Sequence, residues 1–361
     1  MAALGLIAGG CVTAPRDGHG APAPATAVPS MVASGDPSSS LAPDGSVGPD
    51  ASPVVGPSAS SSILPVRSAR ASLGYISLDE SQAFVRSVSV GIRAAAVEAG
   101  IELIACDSGW TRAGVLDCAE RLSAAGVHGV LSFQPFADLA TDVCEATGYA
   151  PTIGIVYDQG PCQVALLEID QAESGRLAGE AMGRFAAERW DCDVRAYVSL
   201  ESGEDDPIGG ARMEGHRAGY QEHCGLPEDT RALRGAQHLA TARTQVASLL
   251  ETLPGRPILV AGVSDIAILG AMEAAAAAGR SNQLWYSGQL ADPAIRSEIA
   301  CNDRYIASVA QFPERFGATL VPALVDAIEG RVIDPRLEAE LELVTAANVR
   351  TLFPDTPACN E

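Results

Sequence analysis

The sequence contains none of the motifs that mark the common catalytic and metal sites. Its 361 residues include no G-x-S-x-G nucleophile elbow, no H-E-x-x-H zinc motif and no Walker A phosphate loop. The five histidines include no pair at the spacing of metal ligands. These absences argue against an enzyme, and they predict that the protein uses neither a metal nor a cofactor.

Aromatic residues and basic residues are both scarce. Aromatics make up 5% of the chain, and the formal net charge of −21 gives a pI of about 4.5. So acidic a chain has no broad basic face, which excludes nucleic acid as a partner. No run reaches the roughly 18 consecutive apolar residues of a membrane span. The hydrophobic content of 47%, with 36 glycines, instead predicts small-residue helices packed closely on sheets.

The nine cysteines include no C-x-x-C pair, which argues against a zinc ribbon or a thioredoxin-like motif. Cys11 stands apart, and the other eight are Cys106, Cys118, Cys144, Cys162, Cys192, Cys224, Cys301 and Cys359. An even number in an exported chain favours disulfides. Sequential pairing (106–118, 144–162, 192–224 and 301–359) closes the shortest loops and is our prediction. Buried free thiols, packed as small apolar residues, are the alternative.

Residues 1–11 resemble part of a bacterial lipoprotein signal. Ala8-Gly9-Gly10-Cys11 is similar to a lipobox, in which small residues precede the lipidated cysteine. Ala8 departs from the larger aliphatic residue usual there, and the segment is short and lacks a basic start. We expect the natural start to lie upstream and Cys11 to carry a lipid. A chance cysteine in a truncated leader is the alternative.

Residues 12–67 have the composition of a disordered linker. They hold ten of the 23 prolines, many serines, alanines and glycines, and no aromatic residue. Such a segment buries too little apolar surface to offset the entropy of ordering it. Placed after a lipidated cysteine, it would tether a folded domain to the membrane surface.

From Leu73 onward, short apolar runs alternate with longer helical runs, which is typical of βα units and a parallel sheet. The pattern restarts once, so we predict two α/β halves. The predicted strands are 73–77, 102–106, 127–132, 152–156 and 165–169, then 194–200, 258–261, 284–286, 306–310 and 341–344. The predicted helices are 83–99, 113–125, 137–147 and 174–188, then 210–223, 241–253, 266–278, 293–300 and 312–328.

Three segments carry a family resemblance: Ile169 to Gly179, Arg212 to His216, and Ser308 to Gly317. They are similar to the "D-N-x-x-x-G-x-x-A-G", "R-x-E-G-F" and "A-Q-x-P-x-x-x-G" segments of sugar-binding periplasmic binding proteins of ABC importers, the ribose-binding-protein-like group. His216 replaces the phenylalanine of the second segment, a departure that we interpret as a change of packing. The resemblance spans about 73–344.

The resemblance implies a periplasmic binding protein type I fold, with two Rossmann-like lobes joined by a hinge that the chain crosses three times. The crossings would lie near Asp170, Gln311 and Glu338. The N-terminal lobe would comprise 68–170 plus 312–338. The C-terminal lobe would comprise 171–311 plus 339–361. The last long helix would thus return to the N-terminal lobe.

The resemblance also implies ligand contacts in the cleft between the lobes. Phe84 would stack on the apolar face of a sugar ring, with core packing as the alternative. Asp79 and Gln82 would reach the cleft from the strand-to-helix loop, or would cap the helix. Arg212 would grip hydroxyls or a carboxylate, or would form a salt bridge. Gln311 would contact the ligand, satisfy the hinge backbone, or do both.

Four further expected contacts depart from the family's residues. Asp158 matches the first residue of an Asp-Arg pair only approximately, and the arginine is missing. Ser264 and Asp265 stand where the family has Asn-Asp, and the neutral Gln289 replaces an aspartate. The cleft thus has fewer charges and more amides, which predicts a ligand other than ribose. Four aromatics could add stacking or simply fill the core, namely Trp110, Phe133, Phe136 and Tyr157.

The sequence therefore predicts an extracytoplasmic, lipid-anchored solute-binding protein. As a monomer it would capture a small sugar-like ligand, most readily a monosaccharide or polyol, for an ABC transporter permease. A sensor subunit of the same fold, signalling to a membrane receptor or kinase, is the alternative. A LacI-like regulator is disfavoured, because the chain is acidic and begins with a Pro/Ser linker in place of a helix-turn-helix.

Overall fold

The computed structural model describes residues 71–253 and 255–359. The predicted lipobox at 1–11, with its Cys11, and the predicted linker at 12–67 lie outside this part of the chain. Within the described ranges, no helix combines the length and the apolar character that a membrane span requires.

Twelve strands form two six-stranded sheets in the described part of the chain. The strands are β1 (Ser72–Ser77), β2 (Glu102–Asp107), β3 (Gly129–Ser132), β4 (Thr152–Ile155), β5 (Gln163–Glu168), β6 (Ala196–Leu200), β7 (Thr230–Leu233), β8 (Ile258–Gly262), β9 (Leu284–Ser287), β10 (Tyr305–Ala310), β11 (Arg336–Glu338) and β12 (Glu342–Val344). The first sheet has the order β11-β5-β4-β3-β1-β2, and the second has the order β12-β10-β9-β8-β6-β7. Every pairing is parallel except that of β10 with β12.

Within 71–253 and 255–359, ten α-helices flank the sheets. They are α1 (Ala83–Ala99), α2 (Arg112–Ala125), α3 (Ala140–Ala146), α4 (Gln171–Trp190), α5 (Pro207–Gln221), α6 (Leu239–Thr252), α7 (Asp265–Ala277), α8 (Arg296–Cys301), α9 (Phe316–Ile328) and α10 (Val349–Leu352). The first lobe consists of the first sheet with α1, α2, α3 and α9, and the second lobe contains the other sheet and helices. Both sheets are covered on their two faces by separate apolar clusters. The predicted α/β architecture of two lobes is confirmed.

The chain passes between the two sheets three times. It leaves the first sheet after β5 and enters α4, which packs on α5 and β10 of the second lobe. It returns after β10, because α9 packs on α1 and β3 of the first lobe. It crosses again between β11 and β12, which pair with β5 and β10 respectively. Three segments of the chain therefore connect the lobes: β5 to α4, β10 to α9, and β11 to β12.

The structure differs from the sequence prediction at short and exposed elements. The strands β7 and β11 were not predicted, because both are largely exposed at sheet edges and carry no apolar run. The predicted helix 312–328 starts as a 3-10 turn at Pro313–Arg315, since Phe312 has a left-handed backbone with φ of 44°. The helix predicted at 293–300 begins only at Arg296.

The four predicted disulfides are present: Cys106–Cys118, Cys144–Cys162, Cys192–Cys224 and Cys301–Cys359. Each closes a loop within one lobe. The first two lie in the first lobe and the last two in the second. These bonds stabilise each lobe mainly by restricting its unfolded chain. None of them joins one lobe to the other, so they do not oppose rotation of one lobe against the other.

Helices α4 and α5 cross at unusually close range because glycines line both sides of the contact. An added Cβ at Gly175 or Gly179 of α4 would collide with backbone carbonyls of α5. An added Cβ at Gly215 or Gly219 of α5 would likewise collide with backbone carbonyls of α4. Glycines four residues apart on each helix form one continuous groove. The backbones therefore lock in a single register, which fixes the side chains at the start of both helices.

His216 lies on the same face of α5 and is completely buried. Its Nδ1 is 2.8 Å from the Tyr197 hydroxyl, and its Nε2 is 3.2 Å from the Ser287 hydroxyl. Burial disfavours the charged ring and lowers the pKa of His216 to about 3. The histidine thus connects α5 to the sheet as a neutral hydrogen-bonding residue.

The helix crossing predicts opposite effects of two alanine substitutions on α5. Gly215→Ala should lower the free energy of unfolding by at least about 1–3 kcal/mol, because its Cβ meets the Ala172 carbonyl. Gly210→Ala is the matched control, since its Cβ would enter open space. It should raise stability by about 0.4–1 kcal/mol. Denaturant unfolding measures both, and equal stabilities for the two variants would contradict this packing.

The buried histidine predicts a pH effect of defined sign. Below about pH 6.5 the unfolded chain binds a proton that folded His216 does not, so stability falls toward pH 3 by up to about 1.4 kcal/mol per unit. In the folded protein, the NMR signals of the His216 ring should not titrate between pH 5 and 8. The control is the same ring in urea, which should titrate near 6.5. A midpoint near 6 in the folded state would show that the ring is not desolvated.

Candidate functional site

A cavity of about 200 Å³ lies between the lobes, near the crossing segments. It is smaller than the roughly 300–1,000 Å³ of pockets for drug-sized ligands, so it suits a small solute. Its lining residues are Leu78, Gln82, Phe84, Val85, Trp110, Phe133, Val156, Tyr157, Ile169, Gln171, Ile208, Arg212, Leu290 and Gln311. Several follow the carboxyl ends of parallel strands, the edge where open α/β sheets bind ligands.

Aromatic side chains dominate the wall that the first lobe contributes. Phe84, in the first turn of α1, meets Phe316 edge to face with ring centroids 6.1 Å apart. Phe133 and Tyr157 follow β3 and β4, and their centroids are also 6.1 Å apart. Phe133 is 3% exposed and packs in the core, and it also lines the cavity. This wall offers π faces to the C–H groups of a ring-shaped solute.

Trp110 completes the aromatic wall from the loop between β2 and α2. It is 46% exposed, and its backbone has the left-handed φ of 55°, which is rare for a bulky residue. The loop is held because the Trp110 amide donates to the Leu78 carbonyl at 2.6 Å, and the Cys106–Cys118 disulfide brackets it. A strained and exposed tryptophan at a cavity mouth is a candidate for ligand contact.

A buried network of glutamines stabilises the loops of the aromatic wall. Gln159 accepts hydrogen bonds from the Ser132 hydroxyl at 2.7 Å and the Gln134 amide at 2.8 Å. It donates to the backbone carbonyls of Gln134 at 3.0 Å and Tyr157 at 2.9 Å. Gln159 stands where the resemblance would place an arginine, and it holds the loop of Tyr157 rather than facing a ligand.

The second lobe contributes a polar wall centred on Gln171, the first residue of α4. Its Oε1 accepts from Nε of Arg212 at 3.0 Å, from Nη2 of Arg212 at 2.5 Å and from Nε2 of Gln311 at 3.3 Å. Gln311 also donates to the Ser174 hydroxyl at 3.4 Å, and that hydroxyl donates to Gln289 Oε1 at 2.6 Å. One network thus joins α4, α5, the crossing segment after β10 and the loop after β9.

Arg212 is the charged member of this network and is only 7% exposed. Its Nη1 donates to the Val263 carbonyl at 2.7 Å, so the guanidinium is fixed from two sides. Loss of hydration on burial lowers the pKa of Arg212 to about 10, which still leaves it charged at neutral pH. The cavity therefore contains a fixed cation opposite an aromatic wall.

Four residues predicted as ligand contacts line the cavity: Gln82, Phe84, Arg212 and Gln311. Gln289 does not, because it is fully buried behind Ser174 and bonds to both its hydroxyl and its carbonyl. It supports the polar wall from within the second lobe.

Two predicted carboxylates of the first lobe do not line the cavity either. Asp79 accepts from the Ser81 amide at 3.0 Å and from the Gln82 side chain at 3.3 Å. Hydrogen bonds from the Ser81 side chain, the Ser81 amide and Gln82 lower the pKa of Asp79. Asp158 is exposed and accepts from the Gly160 amide at 2.8 Å. Both carboxylates are occupied in stabilising turns of the chain.

Ser264 and Asp265 also lie away from the cavity lining. Ser264 caps α7, accepting from the Ala267 amide at 3.3 Å. Asp265 is fully buried and accepts from the Tyr305 hydroxyl at 2.6 Å, the Ser308 hydroxyl at 3.0 Å and the Asp292 amide at 2.9 Å. Desolvation raises the pKa of Asp265 to about 7. Both residues fasten α7 to the second sheet.

The sequence prediction missed seven of the fourteen cavity residues, namely Leu78, Val85, Val156, Ile169, Gln171, Ile208 and Leu290. The signal for Gln171 was available, because it occupies the second position of the segment matched to "D-N-x-x-x-G". Ile208 and Leu290 are apolar and follow no motif. In the described ranges, no group of three or more histidine, cysteine or acidic residues is arranged to hold a metal ion.

Comparisons with known proteins agree with this architecture. Residues 73–331 match the family described as "Periplasmic binding protein domain". No curated protein matches the sequence.

Three solved structures illustrate the fold. A Mycobacterium smegmatis ABC transporter solute-binding protein with bound glycerol superposes with a TM-score of 0.67 and 17% identity, over 81% of this chain and 100% of that one. An Actinobacillus succinogenes periplasmic solute-binding protein with bound D-allose superposes with a TM-score of 0.67 and 15% identity, over 78% of this chain and 100% of that one. A Bacillus halodurans solute-binding protein with bound myo-inositol superposes with a TM-score of 0.65 and 18% identity, over 78% of this chain and 97% of that one.

At these identities the superpositions establish the fold alone. The family match covers well over half of the chain, from β1 to the end of α9. The chain belongs to the periplasmic binding protein family and has its type I fold.

Proposed function

We propose that the protein captures a small sugar-like solute, a monosaccharide or polyol, between its lobes and delivers it to an ABC transporter permease. The observation that carries the proposal is the cavity itself, where an aromatic wall faces a polar wall. Sugars and polyols present both C–H faces and hydroxyl rims, so this pairing suits them. The similar structures with bound glycerol, D-allose and myo-inositol support the same ligand class.

Capture requires that a ligand touch both lobes, because only differential contacts shift an equilibrium toward the closed form. Trp110 and Phe84 come from the first lobe, and Arg212 and Gln171 from the second. The three crossing segments are the natural hinge, because they connect the lobes. Gln311 lies on one of them. With disulfides confined to single lobes, the lobes are free to close as rigid bodies.

We further propose that the protein acts as an extracytoplasmic monomer, held to the outer face of the plasma membrane by a lipid on Cys11, with 12–67 as its tether. Four disulfides favour an oxidising compartment. The family consists of solute-binding proteins rather than enzymes, which agrees with the lack of catalytic motifs in the sequence.

Thermal unfolding against a panel of monosaccharides, polyols, nucleosides and amino acids tests the proposed ligand class. A ligand that binds only the folded state stabilises it by RT ln(1 + [L]/Kd), about 2.7 kcal/mol at a hundredfold excess over Kd. A sugar or polyol should raise the unfolding midpoint clearly. A response confined to amino acids or nucleosides would contradict the proposal.

Replacing Trp110 tests the aromatic wall. Trp110→Ala should weaken binding of that ligand about 2- to 10-fold, because a stacking contact contributes about 0.5–1.5 kcal/mol. The folded state should keep its stability, since the side chain is half exposed. Tyr149→Ala is the matched control, a 69% exposed aromatic of the same lobe that does not line the cavity. Isothermal titration calorimetry measures both affinities, and an equal effect of the two substitutions would remove Trp110 from the site.

A further inference from the structure

The cavity has a charge opposite in sign to that of the whole protein. Arg212 is the only charged side chain among the fourteen residues that line it. The others are apolar, aromatic or amide side chains, and none is a carboxylate. A chain with a formal net charge of −21 therefore presents a single fixed cation to its ligand.

The acceptors that surround Arg212 are all neutral. Its three hydrogen bonds go to the Gln171 side chain, twice, and to the Val263 carbonyl. A guanidinium has five N–H donors, so two remain without an acceptor among the described residues. Within 71–253 and 255–359, fifteen ion pairs are present, but Arg212 takes part in none of them. A buried cation without a counter-ion is costly to maintain.

The two carboxylates that act on Arg212 electrostatically have other hydrogen-bonding roles. Asp206 and Asp265 both act on Arg212 through space, opposing the fall of its pKa. Asp206 is the N-cap of α5 and accepts from the amides of Ile208 and Gly209 at 3.1 Å each. Asp265 accepts from Tyr305 and Ser308 inside the second lobe. Neither carboxylate lines the cavity.

The two first-lobe carboxylates predicted as ligand contacts do not compensate the charge of Arg212. Asp158 is exposed and turned to its own loop, and Asp79 is bonded to Ser81 and Gln82. Gln289 is neutral and buried behind Ser174. Glu168, Asp170 and Glu338 line a neighbouring cavity that shares Gln171 and Ile208, but not the cavity that contains Arg212. No carboxylate lines the cavity beside the guanidinium, so a negatively charged ligand would supply the compensating charge.

We infer that the ligand is an acidic sugar or polyol with one carboxylate, of the uronate or aldonate class. This inference rests on the proposed function and narrows its ligand class. A carboxylate can accept the two remaining N–H groups of Arg212 in a bidentate arrangement. One negative charge balances one positive charge, and the amides of Gln171 and Gln311 remain near the hydroxyls. The aromatic wall covers the C–H face as before.

Matched ligand pairs test the inference on the full chain. D-galacturonate and D-galactose differ by a carboxylate at one carbon, as do D-gluconate and D-glucitol. Calorimetry should show the acid of at least one pair binding about 10–100-fold more tightly than its neutral partner. Raising the salt concentration should weaken binding of the acid only modestly, because the ion pair between Arg212 and the ligand carboxylate would be buried.

The outcomes separate the two proposals. If neutral sugars or polyols bind as tightly as their acids, or if only neutral compounds bind, the acidic class is wrong and sugar capture stands. If no sugar, polyol or sugar acid binds at millimolar concentration, both proposals fail.

Variants of α5 provide the second test. Arg212→Gln should abolish the preference for the acid while changing the affinity of the neutral partner far less. Its ligand-free unfolding midpoint should not fall, because the variant removes an uncompensated buried charge. Arg212→Lys should keep part of the preference, since it keeps the charge. Arg217→Gln is the matched control, because Arg217 pairs with Glu201 away from the cavity. An equal loss for acid and neutral ligands in Arg212→Gln would overturn the inference.

Discussion

The site depends on the close crossing of α4 and α5. Glycines on both helices remove the side chains that would keep the backbones apart, so Gly175 and Gly179 meet α5 directly. This contact sets the position of Gln171 at the start of α4 relative to Arg212 on α5, and the two side chains bond to each other. A shift along either helix would break that pair and, through Gln311, disturb the hinge segment. The same helix contact therefore fixes both the packing of the second lobe and the polar wall of the cavity.

The two lobes contribute different chemistry to the cavity. The first lobe supplies aromatic surface on loops that are stabilised by Gln159 and by the Cys106–Cys118 disulfide. The second supplies a preorganised polar network in which Arg212 is already oriented before any ligand arrives. Preorganisation lowers the entropy cost of binding, so a small solute can be held by few contacts. Because each lobe contributes only one wall, we propose that a ligand in contact with both walls would favour closure of the lobes.

Much of the fold was predictable from the sequence, because buried parallel strands and amphipathic helices leave apolar periodicities. The exposed edge strands β7 and β11 leave none and were missed. Family resemblance led to Arg212 and Gln311, whereas Asp265 shows its limit. A motif gives the position of a residue along the chain, but burial against Tyr305 and Ser308 decides where its carboxylate points. The network around Gln171 joins residues up to 140 positions apart, and no local pattern encodes it.

A crystal structure of the protein with a ligand that raises its unfolding midpoint would show whether the two walls bind that ligand together. We expect the ligand between the two walls, with one of its oxygens at the two remaining N–H groups of Arg212 and its ring or chain against Trp110 and Phe84. A ligand bound on the surface of one lobe, with Arg212 still bonded only to Gln171 and Val263, would contradict it.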